Sequence, residues 1–339
     1  MIVNICSSGS SGSTLLAHIL NRHPNVFCGE ELGLFSKNIL FENFNLIKKR
    51  KYLIGRFGIS SAPYFKDRSI FRNLESFSLD RQNMWKILES SKQLNDFVYS
   101  LKNIILGKQN KEKIIWAEKT PENIYLIKYF LEYFPMEKII HIIRDPRDVI
   151  ISLMGRGISF LDAAETWLSS VASIQPFVNH PNVLEIKYEE LVCSPVKIIK
   201  SVCFFLGIQF YDEILNPNEE EQKKGDYFAS WKNIPGSKIS TNSIGRYKKS
   251  NIKFNNIIKM RISDDFALLQ GIERYTIFEL MEKYNYNIEG FGDHNCNNYI
   301  EYKQNNYIHN NKFKYNIKNL IGKILLNEKT IISKVEICA

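Results

Sequence analysis

The chain has 339 residues, room for one large domain with a sizeable core or for one domain and a tail. Its 45 Lys and Arg against 36 Asp and Glu leave a formal net charge of +9, which suits an anionic ligand. The lysines are spread rather than gathered on one element, so nucleic acid is not expected as a partner, and no apolar run is long enough to span a bilayer.

The first strand is expected at Ile2-Val3-Asn4-Ile5-Cys6, a short, apolar, β-branched run. That start leaves no room for a leader, so a cytoplasmic chain is expected. From Thr14, the residues Leu15, Leu16, Ile19 and Leu20 recur at helical spacing until His23-Pro24 ends the run. Between strand and helix lies Ser7-Ser8-Gly9-Ser10-Ser11-Gly12-Ser13-Thr14. A glycine- and hydroxyl-rich turn of this kind offers backbone N–H groups and the positive end of a helix dipole to an anion, although such residues also serve as ordinary caps. The nucleoside-triphosphate form of the loop needs Gly-x-x-x-x-Gly-Lys-Ser/Thr. Here Gly9 and Gly12 stand too close and Ser13 replaces the lysine, which disfavours a kinase or ATPase.

A short strand follows at Val26–Cys28. Residues 40–110 are basic and aromatic, with helical stretches and no clear strand. They form either a helical insertion contributing to an acceptor site or a solvated helical appendage. Strands at Ile114–Ala117, Ile139–Ile143 and Val183–Tyr188 then alternate with helical patterns at Asn123–Tyr133, Phe160–Val178 and Val196–Leu206. This alternation implies an α/β domain, a parallel sheet covered on both faces with its ligand at the strands' carboxyl ends. Phe266 to Tyr286 read as a closing helical region, which places the domain over residues 1–290. Residues 291–339, rich in Asn, Lys and Tyr, read as a tail with an amphipathic segment from Ile317 to Leu326. The six cysteines lack metal-ligand spacing; Cys6, Cys28 and Cys203 read as reduced core thiols.

The strand at Ile139–Ile143 runs into Arg144, and Asp145-Pro146 opens the next helix with a cap and a first-turn proline. Ser152 comes eight residues after Arg144, and Arg156 is expected one helical turn further on the same side. An arginine at a strand's end with a helical serine and arginine can converge on a second phosphate. The alternative is a surface ion pair of Arg144 with Asp145 or Asp148.

These segments together resemble the sulfotransferases that use 3′-phosphoadenosine 5′-phosphosulfate. Ser10-Ser11-Gly12-Ser13-Thr14-Leu15-Leu16 is similar to the family's 5′-phosphosulfate loop, and Arg144-Asp-Pro-Arg-Asp-Val-Ile-Ile-Ser152 to its 3′-phosphate motif. His23-Pro24-Asn25-Val26-Phe27-Cys28-Gly29-Glu30-Glu31, Trp116-Ala117-Glu118-Lys119-Thr120-Pro121-Glu122-Asn123, and Lys187-Tyr188-Glu189-Glu190-Leu191 with Pro195 resemble segments of the tyrosylprotein sulfotransferases and their bacterial relatives. The motifs stand in the family's order across most of residues 1–250. One departure stands out: the family usually has arginine or lysine where this chain has Ser10. Its loss leaves backbone amides, hydroxyls and Lys119 to offset charge on the transferring group.

The resemblance implies a P-loop-like parallel sheet flanked by helices and sulfuryl transfer from 3′-phosphoadenosine 5′-phosphosulfate to an acceptor hydroxyl. The phosphosulfate belongs at Ser10, Ser11, Gly12, Ser13 and Thr14, and the 3′-phosphate at Arg144, Ser152 and Arg156. Tyr188 lines the adenosine side. Arg246 comes from Ser240-Thr241-Asn242-Ser243-Ile244-Gly245-Arg246-Tyr247-Lys248-Lys249, which resembles the family's last cofactor loop. In-line transfer needs a base for the acceptor proton, a cation on the leaving phosphate oxygen, and donors around the equatorial oxygens; it needs no metal. Glu31 is the expected base, with Glu30 in reserve, unless both glutamates cap a helix from Leu32 to Leu40. Lys119 is the expected cation unless a salt bridge with Glu118 or Glu122 occupies it. The acceptor is a phenol or tyrosine, a carbohydrate, or a lipid alcohol, and the oligomeric state is open. Two other readings stand beside this one: a non-catalytic nucleotide-binding relative that has lost the cation at Ser10, and an atypical P-loop kinase.

Overall fold

Strand β1 (Ile2–Ser7) is buried along its whole length. Its near-continuous apolar run, interrupted by Asn4 and ending on Ser7, replaces strict alternation and reflects a parallel strand with a neighbour on each side and helices on both faces. It pairs with β3 (Ile115–Lys119) and β4 (Lys138–Ile143), while β2 (Val26–Cys28) and β5 (Val183–Lys187) form the edges. The order is β2-β3-β1-β4-β5 and every pairing is parallel. Ile5 lies beside Lys119 on one side and Ile140 on the other, which brings the carboxyl ends of the central strands to one edge. The computed structural model describes residues 1–45, 74–109, 112–217, 239–288 and 300–301. The basic and aromatic stretch 46–73 and the segment Ile317–Leu326 lie outside the described residues.

One face of the sheet, with Val3, Ile5, Ile140 and Ile142, packs against α1 (Ser13–Asn21), α8 (Tyr188–Cys193) and α9 (Pro195–Leu206). The apolar stripe of α1 is Leu15, Leu16, Ile19 and Leu20; truncating fully buried Leu16 to alanine costs about 2–5 kcal/mol. Just beyond α1 the Lys113 ammonium donates to the carbonyls of Asn21, His23 and Val26, a cation that ties the helix end to the start of β2. The opposite face, with Ile2, Cys6, Trp116 and Ile139, packs against α2 (Asn38–Glu42), α3 (Arg81–Ser90), α4 (Leu94–Gly107) and α5 (Ile127–Tyr133). A third core joins α6 (Pro146–Met154) and α7 (Phe160–Ile174) to α10 (Asp264–Gln270) and α11 (Ile277–Lys283).

The α/β expectation is met, with local differences. The helical pattern from Asn123 divides into a 3-10 turn, Pro121–Leu126, and α5. Helix α7 stops at Ile174, because Pro176 two residues on has no N–H to continue it. Tyr188 begins α8 and does not end β5. The closing region is two helices, separated by Gly271 in the left-handed conformation and restarted by a capping box of Thr276 and Glu279. Cys6, Cys28 and Cys203 are buried free thiols, and burial pushes the Cys28 thiol up to about 12. Among the described residues no helix is long and apolar enough to cross a membrane.

Candidate active site

The turn after β1 closes on Gly12, the N-cap of α1, with φ of 98°. A Cβ at Gly12 would lie 2.3 Å from the Tyr188 ring, so this position needs glycine for conformation and for space. The helix begins at Ser13, one residue before the sequence-based expectation. No side chain caps it and its first turn holds no acid, so its first N–H groups and dipole are open to an anion. Ser10 is also left-handed, with φ of 68°. Its carbonyl accepts from Arg144 Nη1 at 2.9 Å, and the hydroxyls of Ser8 and Ser11 bond to each other at 2.6 Å.

Strand β2 delivers Cys28-Gly29-Glu30-Glu31 and β3 ends on Lys119. The Lys119 Nζ lies 2.7 Å from Glu31 Oε1 and 3.4 Å from Thr14 Oγ1. Its side chain is 1% exposed, that of Glu31 33%. The lysine is therefore paired with Glu31 and not with Glu118 or Glu122. Buried Glu118 instead accepts from Gly33 N–H at 3.1 Å, from Thr120 Oγ1 at 2.6 Å and from Asn123 Nδ2, tying the Glu31 loop to β3. Burial raises the Glu118 carboxyl, and those hydrogen bonds oppose the rise. Residues 31–37 are not helical and α2 starts at Asn38, so the two glutamates do not cap the following helix. Phe77 covers Gly29 so closely that a Cβ there would sit 2.4 Å from its ring.

Arg144 emerges from β4 and is 4% exposed. Besides Ser10, it donates through Nη2 to the Ser243 carbonyl; its guanidinium lies 4.6 Å over the Tyr188 ring and 3.8 Å from Asp148. It is a buried cation between two loops, with Asp148 as a longer-range counter-charge. Asp145 caps α6 through Arg147 N–H at 2.9 Å and holds the Arg147 guanidinium at 2.9 and 2.6 Å. Among the described residues, three buried polar atoms near these loops have no hydrogen-bond partner: Ser7 Oγ, Ser10 Oγ and Arg144 Nε.

Arg156 corrects the sequence-based placement. Helix α6 ends at Met154, and Arg156 falls in the following turn between Gly155 and Gly157, the latter left-handed at φ 84°. It is exposed there, with Glu31 and Arg144 as its charged neighbours: partial desolvation lowers its guanidinium to about 10, Glu31 opposing the fall and Arg144 adding to it. Ser152 is half-buried on α6. Arg246 is exposed on a 3-10 turn, Arg246–Lys249, whose flanking N–H groups at Gly245 and Tyr247 bond Asp148 at 2.7 and 3.0 Å. Sequence reasoning missed Glu118, Asp148 and Phe77 as supports of the site; the first two stand inside motifs already singled out, but their partners are distant in sequence.

A model of the sulfotransferase family matches residues 3–213. Protein-tyrosine sulfotransferase 1 of Danio rerio is 25% identical over 226 residues, 63% of this chain and 55% of its own length. The protein-tyrosine sulfotransferase of Drosophila melanogaster is 21% identical over 254 residues, 72% of this chain and 44% of its own length. This chain thus spans about half the length of these curated relatives. Among solved structures, the sulfotransferase domain from the Synechococcus PCC 7002 olefin synthase superposes with a TM-score of 0.57 at 20% identity, covering 85% of this chain and 95% of that one. The sulfotransferase domain from the curacin biosynthetic pathway gives 0.52 at 22%, covering 80% and 98%. Both likenesses show the fold. With the family model covering well over half of its length, from β1 to just beyond α9, the chain belongs to the sulfotransferase family.

Proposed function

We propose that this chain transfers a sulfuryl group from 3′-phosphoadenosine 5′-phosphosulfate to an acceptor hydroxyl. One observation carries the reading: the Lys119 ammonium stands between the half-buried Glu31 carboxylate and Thr14 in the first turn of α1. An open helix N-terminus for an anion, a cation beside it and a carboxylate within reach of solvent are the groups such a transfer requires. The residues fit the donor. The unpartnered Ser7 and Ser10 hydroxyls and Arg144 Nε are hydrogen-bond donors for which phosphate and sulfate oxygens are suitable acceptors.

Bound at this edge, 3′-phosphoadenosine 5′-phosphosulfate supplies an activated sulfuryl group, whose bond to the phosphate oxygen breaks as the acceptor oxygen bonds to sulfur. Glu31 takes the acceptor's proton; its 33% exposure leaves it reachable from outside. Lys119, almost fully buried, stabilises charge arriving on the leaving oxygen more strongly than a solvated ammonium would. The amides and hydroxyls from Ser10 to Thr14 hold the phosphosulfate. Arg144, with Ser152 and Arg156, holds the 3′-phosphate, Tyr188 lines the adenosine side, and Arg246 approaches from the last loop. The helical layer from α2 to α4 borders the Glu31 loop through Phe77 and supplies part of the acceptor site.

The test is incubation with radiolabelled donor and a panel of hydroxyl compounds, without added metal. Tyrosine peptides and simple phenols come first, because the relatives named above are protein-tyrosine sulfotransferases; sugars and lipid alcohols follow. Label transfer supports the reading. Tight binding of 3′-phosphoadenosine 5′-phosphate with no transfer to any acceptor would favour a non-catalytic relative, the reading to which the missing cation at Ser10 lends weight. A preference for ATP with magnesium would refute both.

A further inference from the structure

Asp148 lies one turn after Arg144 on α6 and is 1% exposed. A carboxylate this deep is costly unless its oxygens are paired. Both are: Oδ2 accepts from Gly245 N–H at 2.7 Å and Oδ1 from Tyr247 N–H at 3.0 Å. Gly245 is left-handed at φ 69°, which turns two N–H groups, two residues apart, toward one carboxylate. A Cβ there would meet nothing nearer than the Lys248 side chain at 3.7 Å, so glycine is needed for conformation and not for space.

The rest of the segment is held by the same motif. Arg144 donates to the Ser243 carbonyl. Arg147, fixed by Asp145, lies 3.9 Å from the centre of the Tyr247 ring. Ile244 packs on the core under α1, and Tyr247 on the core of α6 and α7. Four charged residues of one short stretch therefore dock a single loop beside Arg144. Asp148 also sets a negative charge 3.8 Å from that arginine, a charge that by itself disfavours a nearby anion. Its two backbone hydrogen bonds offer the compensating benefit.

We propose that Asp148 is a positioning residue for nucleotide selectivity. It fixes the segment Ser240–Lys249 against Arg144, so that preference for a 3′-phosphate depends on a carboxylate that does not touch the nucleotide. This rests on the functional reading above. Asp148→Asn keeps the shape but replaces one acceptor oxygen with an NH₂ group facing an N–H donor. Calorimetric titration of this variant should show 3′-phosphoadenosine 5′-phosphate bound about 10- to 100-fold more weakly, the effect of a lost charge-assisted hydrogen bond, with AMP affinity held within about twofold. Hydrogen exchange at Gly245 and Tyr247 should accelerate. Asp148→Ser, which removes the charge and both carboxylate acceptors without touching the loop backbone, should give the same loss of selectivity and carries the test if Asp148→Asn does not fold. Either variant keeping the wild-type ratio of bisphosphate to AMP affinity while exchange in 240–249 rises would overturn the inference. Unchanged exchange there would also overturn it, because the carboxylate would not be holding the segment. Wild-type protein with no preference for the bisphosphate would instead refute the functional reading and this inference with it, a failure visible before any variant is made.

Discussion

Gly12→Ala places a methyl group where neither the backbone nor Tyr188 leaves room. At φ 98° a non-glycine residue costs about 1–2 kcal/mol. The new Cβ would sit 2.3 Å from Tyr188 Cδ2 and 2.9 Å from Cε2, and overpacking of this kind costs about 1–3 kcal/mol. The expected destabilisation is the sum, about 2–5 kcal/mol. A double-mutant cycle with Tyr188→Ala, followed by urea denaturation, separates the two parts. Tyr188→Ala alone removes a buried ring and its contact with Arg144, about 3–5 kcal/mol. Once the ring is gone, the steric part of the Gly12 substitution vanishes and only the backbone part stays. The double variant should therefore be more stable than additivity predicts by about 1–3 kcal/mol. A coupling below about 0.5 kcal/mol would refute the argument that Tyr188 dictates glycine at this position.

Glu31→Gln should lower kcat by about 10²–10⁴-fold, the usual contribution of general-base catalysis, with affinity for 3′-phosphoadenosine 5′-phosphate unchanged by calorimetry. Glu30→Gln should be much milder, and equal effects of the two would move the base away from Glu31. Lys119→Ala should slow the same step in single-turnover measurements; an unchanged rate would remove it from the chemistry. Arg144→Ala should weaken the bisphosphate by about 1.5–3 kcal/mol and AMP much less, and equal losses would sink the 3′-phosphate assignment. Burial, helped by Asp162, raises the half-buried Glu165 carboxyl to about 7. With the folded-state value above that of the unfolded chain, the stabilisation from its protonation is complete below about pH 4.3 and is lost as pH rises through about 7. Glu165→Gln should therefore gain in urea midpoint over wild type between pH 5 and pH 8, and a gap that does not widen refutes the shift.

The sheet was legible because strands covered on both faces appear as near-continuous apolar runs, as in Ile2–Cys6, interrupted by Asn4, and Ile139–Ile143, interrupted by His141. The turn before α1 and the place of Arg144 at the end of β4 were legible for a different reason: a strand-to-helix turn is built from consecutive residues. Periodicity misplaced Arg156, since it carried the helix past Gly155, where backbone bonding turns the chain out. The remaining supports depend on pairs remote in sequence. Lys119 meets Glu31 across 88 positions and Asp148 meets Gly245 across 97, separations over which no local pattern reports. Phe77 over Gly29 is of the same kind: the glycine of Cys-Gly-Glu-Glu is dictated by a ring from the helical layer.

Glu31, Lys119 and Arg144 stand at or just beyond the carboxyl ends of β2, β3 and β4, with Thr14 in the helix that follows β1, and Lys119 reaches Glu31 and Thr14 only because these strands share one register. A slip of one residue in any strand would turn its side chains to the other face and dismantle the site. An anion that binds here consequently recognises the correctly assembled sheet and nothing else the chain can form. At a hundredfold excess over its Kd, such a ligand adds about 2.7 kcal/mol to the native state and nothing to fragments or misregistered forms. For a chain that binds such an anion, the folded fraction, and with it resistance to proteolysis, is linked to the ligand's supply.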